Sequence, residues 1–476
     1  MEKNEEIDRH AFRIGRVTWF YVPLLLQAFS QSISYPLVGG ITTHGPLGVD
    51  GLTAFAQGQT VMFMIGAIGG GLVMTGMVHA RTGSGYRAFR RLNFLMMGIL
   101  LLLQCLPAIP PLDTLIFQQA FRLPPHLATV ARDTLLGGLV MNASFFLRNV
   151  PMVVLFNNLE SFKANMGTFL RIALTLVLAI VFPKLGWVGP WWGLVALTMG
   201  CLLEYFVTWW YARPYVKALL EERQIPWHSR LDDLMAAKRR YLMVLEQLRF
   251  TLPLSFGSFI LAASPLAIAL FVGRSVDAQT MLAIHYVTVG VANPIGFAAL
   301  RLQAVSIAFP PAYPGDRRML AYAVGAGAIL GAVLFAFCTP ALANWYFSVY
   351  QNVRPEHLDF ARGAVAMYGI WPIFQAIRAR IEGIAAVRKR PSAVMAGQIT
   401  YLVALTTTLA MTLALNVAGW KMSVIAINVA TLCTIAAVYT ALSLKKSAVR
   451  KTKRKFAKVN AGLHGLMQVA KVNART

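Results

Sequence analysis

Long apolar runs separated by short basic stretches set the pattern of this chain. Twelve runs are long enough to cross about 30 Å of hydrocarbon. They lie near 17–41, 52–78, 93–112, 134–156, 167–185, 189–212, 249–272, 279–303, 319–347, 361–387, 393–416 and 420–444. None alternates with the two-residue period of a barrel strand, and each is too long for one. Each therefore predicts a transmembrane helix, whose backbone groups are satisfied within the segment. The fifth and sixth runs are parted only by the tight stretch Lys184-Leu185-Gly186-Trp187.

The polar stretches carry the orientation. With the N-terminus in the cytoplasm, alternate loops hold 35 of the 44 Lys and Arg, and the opposite set holds 7. Basic residues stay on the cytoplasmic side during insertion, so this bias places both termini inside. The first ten residues lack a signal peptide's basic start, which predicts a retained first span.

Composition agrees with this picture. Of 476 residues, 57% are hydrophobic and 13% charged, and the mean hydropathy is +0.58. A soluble domain carries about 25% charged residues, so soluble enzymes and disordered chains are excluded. The net charge of +25 could suggest nucleic acid, but topology already accounts for most of it. The stretch from Lys445 to Lys455 is basic and juxtamembrane, which points to anionic phospholipid headgroups rather than nucleic acid.

The halves of the chain resemble each other. Phe20-Tyr21-Val22-Pro23-Leu24 opens the first run and Phe250-Thr251-Leu252-Pro253-Leu254 opens the seventh. Second prolines follow at Pro36 and Pro265, while Pro151 and Pro372 occupy the fourth and tenth runs. The reading is an all-α polytopic protein of twelve helices, in two six-helix bundles related by a parallel pseudo-two-fold repeat around a central cavity. Its parts are a cytoplasmic segment 1–16, bundles 17–212 and 249–444, a cytoplasmic linker 213–248 and a basic tail 445–476.

No P-loop, HExxH, GxSxG or metal-spaced His/Cys cluster occurs, so no enzyme, cofactor or metal is expected. Cys105, Cys201, Cys338 and Cys433 all fall in apolar runs and read as small core residues. What remains are polar groups at depths where they are costly. Arg148 lies near the middle of the fourth run, where a charge costs roughly 2.5–3.5 kcal/mol on insertion scales. Two roles are open: an anion contact in the cavity, or an ion pair with Glu204 of the sixth run. Arg378 has the same two, since Glu382 lies one helical turn away. Arg301, Arg317 and Arg318 read as interfacial. Gln27, Gln31, Gln57, Asn142 and Asn293 add uncharged donors and acceptors, either lining a pathway or joining helices. Glu204 and Glu382 are the only acids within the runs; each is a coupling or a structural group.

Two parallel six-helix halves, each opening on a proline-bearing helix, resemble the multidrug/oligosaccharidyl-lipid/polysaccharide (MOP) flippase superfamily, which includes the MATE efflux proteins. Within it the chain looks most like the progressive ankylosis branch of pyrophosphate and organic-anion exporters. The residues that carry this likeness are Val22-Pro23-Leu24, Leu252-Pro253-Leu254, Leu270-Phe271-Val272-Gly273-Arg274, Ala304-Val305 with Ala308-Phe309, and Pro372 followed by Ile377-Arg378-Ala379, Gly383 and Arg388-Lys389. The resemblance implies two lobes that rock to expose the cavity to each side in turn. It also implies a phosphate- or carboxylate-bearing substrate leaving the cell, with Arg274 and Arg378 at the branch's basic positions. The likeness breaks at Arg301 and Gln303, where that branch has an acidic and a basic residue.

The expectation is thus a monomeric exporter of a small anion in a bacterial inner membrane, with Arg148 and Arg378 as the anion contacts. A flippase for a diphosphate-linked lipid, a MATE-like cation-coupled drug antiporter and a membrane scaffold stand as alternatives.

Overall fold

The computed structural model describes residues 12–443, apart from 122, 222–229, 314–315, 351–352 and 354. The basic tail therefore lies outside the described residues. We number the helical spans α1 (Ile14–Thr43), α2 (Asp50–His79), α3 (Gly83–Ala108), α4 (Pro125–Asn157), α5 (Ser161–Lys184), α6 (Pro190–Glu221), α7 (Tyr241–Val272), α8 (Ile284–Ala308) and α9 (Arg318–Ala336). Then come α10 (Leu358–Tyr368, continued by Trp371–Val387), α11 (Pro391–Ala414) and α12 (Gly419–Ser443). Among the described residues no strand occurs. Among the same residues ten helices are long and apolar enough to cross a membrane, and α1 and α10 coincide with the first and tenth apolar runs. The chain is a multi-pass integral membrane protein.

Local sequence explains where the helices stop. The Thr82 side chain caps α3 by accepting from Gly85 N, which starts this helix ten residues before the apolar run predicts. Its first turns keep Tyr86 and Phe89 buried and Arg87, Arg90 and Arg91 exposed. The helix thus outlasts the hydrocarbon by being amphipathic. The α5–α6 turn closes on Gly186 at φ +74° and Gly189 at φ +111°, a backbone that favours glycine. The run 319–347 is helical only to Ala336, then breaks at Thr339-Pro340 before a π-helical turn, Asn344–Tyr350. Inside the bundles, α2 loosens into a 3₁₀ turn at Ala67–Gly71 and α10 breaks between Tyr368 and Trp371.

Two apolar cores organise the packing. One lies wholly within 38–201, built on α2, α4 and α6. The other fills the second half and also takes in Val17, Phe20, Tyr21 and Leu24 of α1 with Met152, Leu155 and Phe156 of α4. The halves therefore press together at the end of the bundle where α1 begins. There Phe20 meets Phe156 and Phe309 edge-on, with ring centroids 6.1 and 5.7 Å away. Arg81 Nη2 donates across the junction to the Ile307 carbonyl at 3.2 Å.

The junction uses two helix pairs, α1 with α8 and α2 with α7, which exchange under the pseudo-two-fold relation of the halves. In the first, Tyr21 donates to the Ala298 carbonyl at 2.9 Å. In the second, the Thr75 and Thr251 hydroxyls lie 2.8 Å apart. Gly70 and Gly71 admit α7 closely, since a Cβ there would stand 2.8 Å from Ser258 Oγ and 2.7 Å from Leu254 Cβ. Small residues of this kind let helices approach where no hydrophobic drive exists between them.

Candidate functional site

Inside the first half, α4, α5 and α6 bring three charges together. Arg148 Nη1 of α4 donates to Glu204 Oε1 of α6 at 2.6 Å. Arg171 Nη1 of α5 donates to Glu204 Oε2 at 3.0 Å. Thr168 hydrogen-bonds Oε1 as well, and Gln27 of α1 donates to Thr168 at 3.3 Å. Glu204 is 1% exposed and Arg148 8% exposed. Its two oxygens are thus fully engaged by two arginines, while Arg148 Nε makes no hydrogen bond.

Charge counting gives this cluster its character. Two guanidiniums share one carboxylate where water is scarce, so these three groups together carry a net positive charge. A buried charge is expensive unless matched, and in an apolar surround its field reaches far. Arg301 of α8 lies on the side of the other half, within electrostatic reach of both Arg148 and Glu204. Arg301 is half-buried, at the point where α8 breaks between Leu300 and Leu302.

A cavity of about 580 Å³ opens beside the cluster. Arg148, Arg171, Asn142 and Asn149 supply its polar wall, and Gly66, Gly69 and Gly70 of the loosened α2 give it room. Cys201 belongs to the apolar core, as its apolar run predicts, and also borders the cavity. Phe297 of α8 closes it from the second half. A ligand here would meet guanidinium and carboxamide donors against a largely aromatic and aliphatic surface, a combination typical of small-molecule sites.

The other sequence candidates fall in different places. Asn142 lines the cavity and donates to Gln104 Oε1 at 2.7 Å; Gln104 in turn donates to the Leu135 carbonyl at 2.7 Å. Gln27 joins through Thr168. Gln57 and Asn293 are half-buried and off this cavity. Gln31 is helical, with its side chain outside the described residues. Arg378 is 2% exposed and held by Glu382, Nε to Oε1 at 2.9 Å, with Tyr401's ring centre at 5.1 Å and Gln303 donating to Glu382 Oε2 at 3.1 Å. It does not line the cavity. Arg274 is exposed in the turn after α7.

Sequence reasoning assigned no role to Arg171, although it was the second arginine in an apolar run, a signal equal in kind to Arg148. The pseudo-repeat also shows an asymmetry. Arg148 precedes Pro151 by three residues, and the matching position before Pro372 is Gly369. Among the described residues, the arginines that line this cavity come from the first half, and Phe297 comes from the second.

The fold is that of the MATE transporters. The Vibrio cholerae MATE transporter VcmN superposes with a TM-score of 0.65 over 94% of this chain and 98% of its own, at 15% identity. The eukaryotic MATE transporter AtDTX14 gives 0.63 over 92% and 99%, at 14% identity. A MOP superfamily transporter from Pyrococcus furiosus, described as having a binding pocket of reverse polarity that suggests a different function, gives 0.58 over 91% and 96%, at 16% identity. No protein-family model matches the chain, and no curated protein sequence does. At this level of identity the likeness speaks for the fold, and the two-lobe architecture expected from the pseudo-repeat is the one these transporters have.

Proposed function

We propose that this protein is an alternating-access transporter whose cavity takes a small anion bearing phosphate or carboxylate. The observation that carries the reading is the Arg148–Glu204–Arg171 cluster, with two guanidiniums on one carboxylate at the wall of the cavity and Arg301 nearby. An anion entering there neutralises the excess charge and replaces lost water with charge-assisted, planar hydrogen bonds, which guanidinium provides well. A cationic drug would meet the same excess as repulsion. Asn142 and Asn149 would supply further donors to the anion, and Glu204 would hold both arginines in place. Arg378, tied to Glu382, would act as a structural group of the second half.

The halves joined at the end where α1 begins describe one of the two states such a transporter needs. With that end cytoplasmic, as the Lys and Arg distribution predicts, the state is closed to the cytoplasm. Emptying it to the other side makes the protein an exporter, working as a monomer and, on its basic inner face, suited to a bacterial cytoplasmic membrane.

The MATE neighbours favour a second reading, a cation-coupled drug antiporter, so the test carries both substrates. Inverted membrane vesicles holding the wild-type protein are offered labelled pyrophosphate, citrate, nucleotides and, separately, an organic cation. The anion reading predicts uptake of one of the anions and its loss in Arg171→Gln at equal protein level. Uptake of the organic cation, unchanged in that variant, would establish the antiporter instead. Absence of both, with transfer of a diphosphate-linked lipid between liposome leaflets, would make the protein a flippase.

A further inference from the structure

A second cavity, larger than the first and sharing none of its lining residues, lies on the outside of the first half between α3, α4 and α6. Its volume is about 1070 Å³. It sits at the end of the bundle where α1 begins, because α3 starts there and α4 and α6 finish there.

The groove is built in two levels. At its outer level Arg90 and Arg91 of α3 face Arg213 and Lys217 of α6. Glu221 is the one acid of the lining, and it pairs with Lys217 at 3.8 Å. Arg90, Arg91 and Arg213 have no carboxylate among the described residues. Arg213 is held by stacking, its guanidinium carbon 3.7 Å from the Trp209 ring centre and 4.9 Å from that of Trp210. Its inner level is apolar: Phe94 and Leu147 form a wall towards the middle of the helices. Phe94, Trp209 and Trp210 are all well exposed, so the groove opens sideways from the bundle, where a membrane's lipids lie.

We propose that this groove is a specific site for an anionic phospholipid. The phosphate would sit among Arg90, Arg91 and Arg213, and an acyl chain would follow Phe94 and Leu147 towards the bilayer centre. Two levels of this kind match a lipid and no soluble anion: basic residues at headgroup height, tryptophan at the interface and an apolar wall below. A free phosphate would satisfy the upper level and leave the wall unused. The site is distinct from the basic tail, which would attract any anionic surface without selecting one lipid molecule.

The test uses tryptophan quenching in the full-length protein reconstituted in phosphatidylcholine, titrated with brominated phosphatidylglycerol. Trp209 beside a bound brominated chain predicts saturable quenching at low phosphatidylglycerol fraction, absent with brominated phosphatidylcholine and reduced in Trp209→Phe. In the Arg90→Gln, Arg91→Gln, Arg213→Gln variant the apparent affinity should fall on the order of a hundredfold, given three lost basic contacts. Arg213→Lys, which keeps charge but loses the stacked guanidinium plane, gives a smaller loss and guards against a fold defect in the triple variant. Equal quenching by both brominated lipids, or unchanged affinity in the triple variant, would overturn the proposal. Relief of quenching by millimolar glycerol phosphate would mark a soluble-anion site and overturn it as well.

Discussion

Tyr21 and Thr251 stand at the same step of the two halves, two residues before Pro23 and Pro253, and each carries a hydrogen bond into the opposite half. The repeat in the sequence thus reappears as a pair of clasps, α1 on α8 and α7 on α2. Because the two clasps close the same end of the bundle, loosening either should favour the opposite state.

Tyr21→Phe removes one donor from a buried bond and Thr251→Val removes the other clasp. Each should cost about 1 kcal/mol and lower the melting temperature of the detergent-purified protein slightly. The double variant should also raise labelling of a cysteine placed at Phe20, which the closed junction covers. Unchanged labelling would show that these bonds do not set the state.

Glu204 is the keystone of the cationic cluster. Glu204→Gln leaves two buried guanidiniums without a carboxylate, and breaking a buried pair in this way costs roughly 3–5 kcal/mol. A large fall in melting temperature or in membrane yield is the expected result. Arg171→Gln leaves Arg148 and Glu204 matched one to one, so its melting temperature should stay near the wild type while uptake is lost.

Much of this architecture was legible in the sequence, for a physical reason. Hydrocarbon forces every spanning backbone to satisfy itself, so apolar length and Lys/Arg placement marked where the helices lie. The cost of burying Arg148 marked it as purposeful, and the scarcity of acids left Glu204 as its natural partner. What stayed hidden depends on three-dimensional convergence. That Arg171 reaches the second oxygen of Glu204 follows from how α5 and α6 pack. That Arg301 comes within electrostatic reach from the other half follows likewise from packing. Apolar length also misplaced the ends of α3 and α9, because an amphipathic start and a proline-induced break are local features.

The connection between α8 and α9 titrates. Asp316 accepts from Arg318 Nε at 3.0 Å and Nη2 at 2.9 Å, and from the backbone N–H groups of Arg318 and Ala312. The Arg318 side chain, first among these, holds the Asp316 carboxyl down to about 2 from its ordinary 3.8. A depressed folded-state value means stabilisation that is complete above about pH 4 and lost as the pH falls towards 2. Asp316→Asn should therefore melt below the wild type at pH 5 to 7, and the gap should close near pH 2. A gap that persists undiminished at pH 2 would show that the charge plays no part.

The sign of the charge in the cavity beside Arg148 decides between an anion and a cation as its ligand, and Cys201 on its wall reports it. In a protein with Cys105, Cys338 and Cys433 replaced by alanine, the rates of Cys201 modification by an anionic and a cationic methanethiosulfonate of similar size are compared at low salt. The excess of guanidinium predicts faster reaction with the anionic reagent, and a smaller difference at high salt and in Arg171→Gln. Faster reaction with the cationic reagent would mean that the cavity is negative to its ligands, and would contradict anion transport.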